Sequence, residues 1–143
     1  MYHEFTHQVL HVMTGNNHAP PWLTEGIAVY TQSVKYGIRG AEFPGAPRDG
    51  SWSIDELLAL RGYDDWYRAY ETSQRKEQPS PYGASGSLVT FAMQYENGQL
   101  QADFIDYLRD SYRSGAGKRH IWDYMGMSKA EFQRRYREWL QQK

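Results

Sequence analysis

Apolar residues recur at helical spacing along most of this chain, and breakers separate the runs. Phe5, Val9, Val12 and Met13 form one stripe and predict a helix over 2–13. Gly15-Asn16-Asn17 ends it, because both residue types tolerate the left-handed conformation of a helix C-terminus. Ala19-Pro20-Pro21 then forces an extended link. The run Trp22 to Tyr30 reads as the next helix, with Trp22, Ile27, Val29 and Tyr30 available for packing. Gly26 and Ala28 are small enough there for another helix to come close.

Residues 37–53 are rich in Gly and Pro and predict an irregular loop, of the kind that lines a substrate cleft when it lies near a site. Ser53 and Glu56 make a capping box for a short helix over 54–60, closed by Gly62. A helix over 64–77 carries Trp66, Tyr67 and Tyr70 on one side. After Pro79-Ser80-Pro81, the segment Tyr82 to Tyr95 is a helix with a small-residue start, stopped by Asn97-Gly98. Leu100 to Tyr112 is amphipathic through Phe104, Leu108 and Tyr112, and Gly115 and Gly117 end it. Ile121 to Tyr124 is a short turn or helix. A second capping box, Ser128 with Glu131, opens a last helix carrying Phe132, Tyr136, Trp139 and Leu140. No alternating strand pattern persists, and there is no internal repeat. The expectation is an all-α chain, one domain over 1–143.

Composition changes this picture in three ways. With 12 Tyr, 5 Trp and 5 Phe, the core is expected to be aromatic, with phenol hydroxyls directed to its rim or to partners. With no cysteine, any metal must be held by His, Asp or Glu. A net charge of −1 with scattered Lys and Arg gives no footprint for nucleic acid. No stretch approaches the roughly 18 apolar residues of a membrane span.

The first helix carries His3-Glu4-Phe5-Thr6-His7, an H-E-x-x-H pattern. Residues four apart on a helix differ by about 40° around the axis, so His3 and His7 share a face and can ligate one Zn²⁺. Glu4 projects beside that position, where it can take a proton from a water at the metal. His11 lies one turn further along, about 6 Å of rise away, and His18 falls in the following loop. Glu25 is the stronger third ligand. It sits 18 positions after His7, inside an otherwise apolar run, where a carboxylate is costly unless paired or bound to a metal.

H-E-x-x-H followed by a Glu on the next helix resembles the gluzincin metallopeptidases. The string Trp22-Leu-Thr-Glu25-Gly-Ile-Ala-Val-Tyr30 looks like the W-L-x-E-G-x-A-x-Y segment of bacterial peptidase-MA-like proteins. The match covers residues 3 to 30; beyond residue 82 only a helical layout is shared. The resemblance implies one Zn²⁺ per chain on His3, His7 and Glu25, with Glu4 as general base and then acid. It implies a peptide or protein substrate. It also implies a donor to the developing oxyanion, for which Tyr82 at its helix start is the candidate and His120 the alternative. Read without the resemblance, Tyr82 is equally a packing tyrosine.

Two positions depart from the family. Four residues after the third ligand, many gluzincins have a carboxylate that bonds a ligand histidine; here it is Val29, so the support is expected from Asp55, Asp64 or a backbone carbonyl. The family also places a small β-sheet ahead of the zinc helix. The expectation is therefore the mainly helical C-terminal part of a gluzincin catalytic domain, without that β-subdomain. Two other readings fit the same residues. One is a non-catalytic zinc-binding or partner-binding module with a surface of Tyr63, Trp66, Tyr67 and Tyr70. The other is a metal hydrolase of non-peptide amides or esters.

Overall fold

The computed structural model describes Glu4 and residues 6–9, 19–35, 52–113 and 119–142. Glu4 and residues 6–9 are helical, in keeping with the predicted first helix. His3, His11, His18 and most of the 37–53 loop lie outside the described residues.

Seven further α-helices follow among the described residues, with no strand. They are α1 (Pro21–Lys35), α2 (Ile54–Ala59), α3 (Tyr63–Arg75), α4 (Pro81–Gln94), α5 (Gln101–Arg113), α6 (Ile121–Tyr124) and α7 (Lys129–Gln141). A single 3₁₀ turn, Tyr95–Asn97, joins α4 to α5. The all-α expectation holds. No helix among the described residues is long and apolar enough to cross a membrane.

The starts of these helices follow the sequence closely. Ser53 Oγ accepts from the Glu56 N–H at 3.1 Å, and Glu56 Oε2 accepts from the Ser53 N–H at 2.7 Å, closing the first capping box. Ser80 caps α4, and Pro81 takes the first helical position, where a missing N–H costs nothing. The second box is only half made. Ser128 Oγ accepts from the Glu131 N–H, but the Glu131 carboxylate turns away to Arg134 and Arg135. A carboxylate with two guanidinium donors in reach prefers charge-assisted hydrogen bonds to a backbone amide.

The core is organised on α4, which is buried from Gly83 to Ala92. One side receives α1, buried from Pro21 to Ala28. At their crossing, a Cβ added to Gly26 would stand 2.7 Å from the Ser85 carbonyl oxygen and 2.8 Å from Val89 Cγ2. Glycine is thus what lets the two backbones meet. The other side receives α7. Phe91 packs its ring against Tyr95, Phe132, Tyr136 and Trp139, with centroids 5.0 to 5.6 Å apart. Two polar groups in this core close on neighbours: Thr90 Oγ1 donates to the Gly86 carbonyl at 2.8 Å, and the Tyr136 hydroxyl bonds Ser87 Oγ at 3.1 Å.

Candidate metal centre

The site is built where α1 presents Glu25. Its neighbours Thr24 and Gly26 are buried, and Glu25 itself is only 6% exposed. Taking a carboxylate this far out of water costs on the order of several kcal/mol unless partners replace the lost hydration. Both its oxygens have partners. Oε1 accepts from the Tyr63 hydroxyl at 3.0 Å, and Oε2 lies 3.2 Å from His7 Nε2. Pro20 and Pro21 turn the chain into α1, and Gly62 starts α3 so that Tyr63 stands on its first turn.

The electrostatics follow from these contacts. The hydrogen bond His7 donates to the Glu25 carboxylate raises its pKa above the usual value; burial opposes this, and the fields of Glu25 and Glu4 add to it. Glu4 is exposed, but its charge is close enough to act on His7. Burial, and then the Glu25 charge, pushes the Tyr63 phenol far up, so it stays a donor at any physiological pH. Burial raises the Tyr82 phenol too, and Glu25 contributes to that shift. Tyr82 is half-buried on the first turn of α4, edge-on to Trp66 at 5.0 Å and to Tyr70 at 5.3 Å between centroids.

The fit to a zinc ion can be tested on one distance. Two ligand atoms on a tetrahedral Zn²⁺ with bonds near 2.0–2.1 Å stand about 3.3 Å apart, the edge of the tetrahedron. The observed 3.2 Å between His7 Nε2 and Glu25 Oε2 matches that edge. The donor set, one imidazole and one carboxylate with its second oxygen hydrogen-bonded, also suits zinc. Among the described residues no third His, Asp, Glu or Cys joins this pair, and His3 lies outside them. The residues present therefore fit two positions of a zinc site.

Several expectations change. The support for the site does not come from Asp55, which pairs with Lys129, or from Asp64, which is exposed. Tyr63, one residue before Asp64, bonds the carboxylate of Glu25 instead. The aromatic partner surface is also corrected: Trp66 is fully buried under Tyr82, and Tyr63 is turned to Glu25, which leaves Tyr67 as the exposed ring of that group. His120 stacks on Trp122, 4.5 Å between centroids, and its backbone N–H donates to Asp123; none of these is a residue of the site. Sequence reading missed Tyr63 as a site residue. Its signal was the spacing of Tyr63, Tyr67 and Tyr70, which puts all three on one side of α3.

A cleft of about 590 Å³ opens elsewhere, lined by Trp52, Glu56, Leu60, Asp65, Arg68 and Thr72 among others. Asp65, Arg68 and Thr72 lie on the side of α3 facing away from Tyr63, so this cleft is separate from the site. Comparisons with protein-family models, with curated proteins and with solved structures returned no match.

Proposed function

We propose that this chain is a zinc-dependent peptidase of gluzincin character, hydrolysing peptide bonds at the Glu25 site. The observation that carries it is the 3.2 Å approach of His7 Nε2 to Glu25 Oε2, a partly buried imidazole beside a buried carboxylate at the spacing of two zinc ligands, drawn from the two segments that resemble the family. His3, His7 and Glu25 would hold the ion. Zn²⁺ bound there supplies Lewis acidity, polarising the scissile carbonyl and lowering the pKa of a water molecule towards about 7. Glu4 takes the proton of the attacking water on a carboxylate oxygen and hands it to the leaving amine. The Tyr82 hydroxyl, kept protonated by its raised pKa, donates to the oxygen on which charge develops.

The test is zinc content and peptide hydrolysis for the wild type and Glu4→Gln. One zinc per chain, with turnover in the wild type and a loss of 10²-fold or more in the variant, is expected from the usual weight of a general base. A wild type without zinc, or an equally active Glu4→Gln protein, refutes the proposal. A non-catalytic module is favoured by one observation: His7, Glu25 and Tyr63 already satisfy one another by hydrogen bonds. It predicts no turnover on peptide, amide or ester substrates. A metal hydrolase of non-peptide substrates predicts turnover on amides or esters alone.

A further inference from the structure

The geometry points to Tyr63 as a positioning residue that makes Glu25 a one-oxygen ligand. This rests on the zinc-site reading above and goes beyond it. A carboxylate beside a metal has two oxygens to offer, and it can bind through one or through both. At Glu25 the choice is constrained from the side. Tyr63 donates to Oε1 at 3.0 Å, and Oε2 is the oxygen that faces His7 Nε2. Tyr63 stands on the first turn of α3 with its ring 5.7 Å from the Tyr67 ring, so its hydroxyl is directed by packing as well as by the carboxylate. With Oε1 held by Tyr63, Glu25 would offer a metal one oxygen rather than two, which suits a catalytic site that keeps a position open for water and substrate.

The experiment removes that one hydroxyl. Tyr63→Phe is compared with wild type and with Tyr136→Phe, which also loses a buried phenol hydrogen bond but at the far side of α4. Zinc affinity is measured by chelator competition, and Co²⁺-substituted protein by its visible absorption. Loss of a hydrogen bond to a metal ligand typically weakens binding about 10–100-fold. That loss is expected for Tyr63→Phe, with weaker Co²⁺ bands as the coordination number rises, while Tyr136→Phe binds zinc within about twofold of wild type. Wild-type affinity and an unchanged Co²⁺ spectrum in Tyr63→Phe overturn the inference and leave the zinc reading standing. Equal losses in both variants overturn it as well, since the effect would then be general loosening of the fold. A wild type that binds neither metal removes the zinc reading and this inference together.

Discussion

The two sides of α4 both take polar groups out of water, and they treat them differently. On the α7 side, Tyr136 is 6% exposed and its neutral hydroxyl closes on Ser87 Oγ inside a ring of aromatics. On the α1 side, Glu25 is equally buried, carries a charge, and needs both Tyr63 and His7. A neutral hydroxyl with one partner is cheap to bury; an ion pair of this kind gains little for stability over apolar residues of similar volume. The α7 side therefore reads as a structure built for packing. The α1 side keeps a costly charge next to His7, whose side chain remains 22% exposed, and that combination of buried acid and reachable imidazole is what a ligand site needs.

The largest effect should come from breaking the packing side. Phe91→Ala removes the ring that Tyr95, Phe132, Tyr136 and Trp139 all touch. A loss of about 3–5 kcal/mol is expected from a buried Phe truncation, read by urea unfolding. If the two sides are separable, the protein that remains folded binds zinc as the wild type does. A matching loss of zinc affinity would show that the site depends on the aromatic side.

Gly26→Ala tests the other side and should do two things at once. The new methyl meets the Ser85 carbonyl, a backbone atom that cannot swing aside, and Val89. Overpacking of this kind costs about 1–3 kcal/mol. Because Gly26 follows Glu25 on α1, the helix shift that relieves the clash also moves the carboxylate away from Tyr63 and His7. Lower stability together with weaker zinc binding is expected. Destabilisation with zinc affinity intact would mean that the α1–α4 contact does not aim the site.

These residues also show what the sequence made legible. Caps and breakers located the helices, because Ser53, Ser80, Pro81 and Gly98 act on their immediate neighbours. Glu25 stood out because a charge inside an apolar run is a local anomaly, and it does sit buried beside His7. Tyr63 was not legible as a site residue, since its bond to Glu25 spans 38 positions and depends on how α3 lies against α1. Trp66 was misplaced for a related reason. A stripe of rings fixes which residues share a side of the helix, and tertiary packing decides which of them is covered. The half-made capping box at Ser128 failed through a competitor one turn away, Arg134 and Arg135.

The next prediction sharpens the contrast by titration. Burial pushes both the Tyr107 and the Tyr136 phenol up to about 12. In the unfolded chain they ionise near 10. A folded pKa above the unfolded one means stability that is whole below pH 10 and is lost as pH rises to 12. Each should contribute a loss on the order of 2 kcal/mol by pH 12. Tyr136→Phe, which cannot ionise, is expected to shift the alkaline unfolding midpoint upward. The same midpoint in both proteins would place Tyr136 in contact with solvent, contrary to its closure on Ser87.

The smallest effect belongs to a charge that is well paired but in water. Arg134 bonds both Glu131 oxygens, at 2.6 and 3.0 Å, and Arg135 adds a third contact at 2.7 Å. Arg134 first, then Arg135, holds the Glu131 carboxyl down at about 2. A depressed folded pKa gives stability that is present above the ordinary carboxylate range, near 4.5, and is lost as pH falls towards 2. The cluster lies on the surface of α7, where solvent and salt screen it, so the contribution is small. Glu131→Gln should lower Tm slightly at pH 7, less in high salt, and progressively less as pH falls towards 2. A large drop at pH 7 would give this exposed network the weight argued for the buried pair at Glu25. A small one keeps the distinction on burial, because Glu25 is 6% exposed while the Glu131 cluster lies in water.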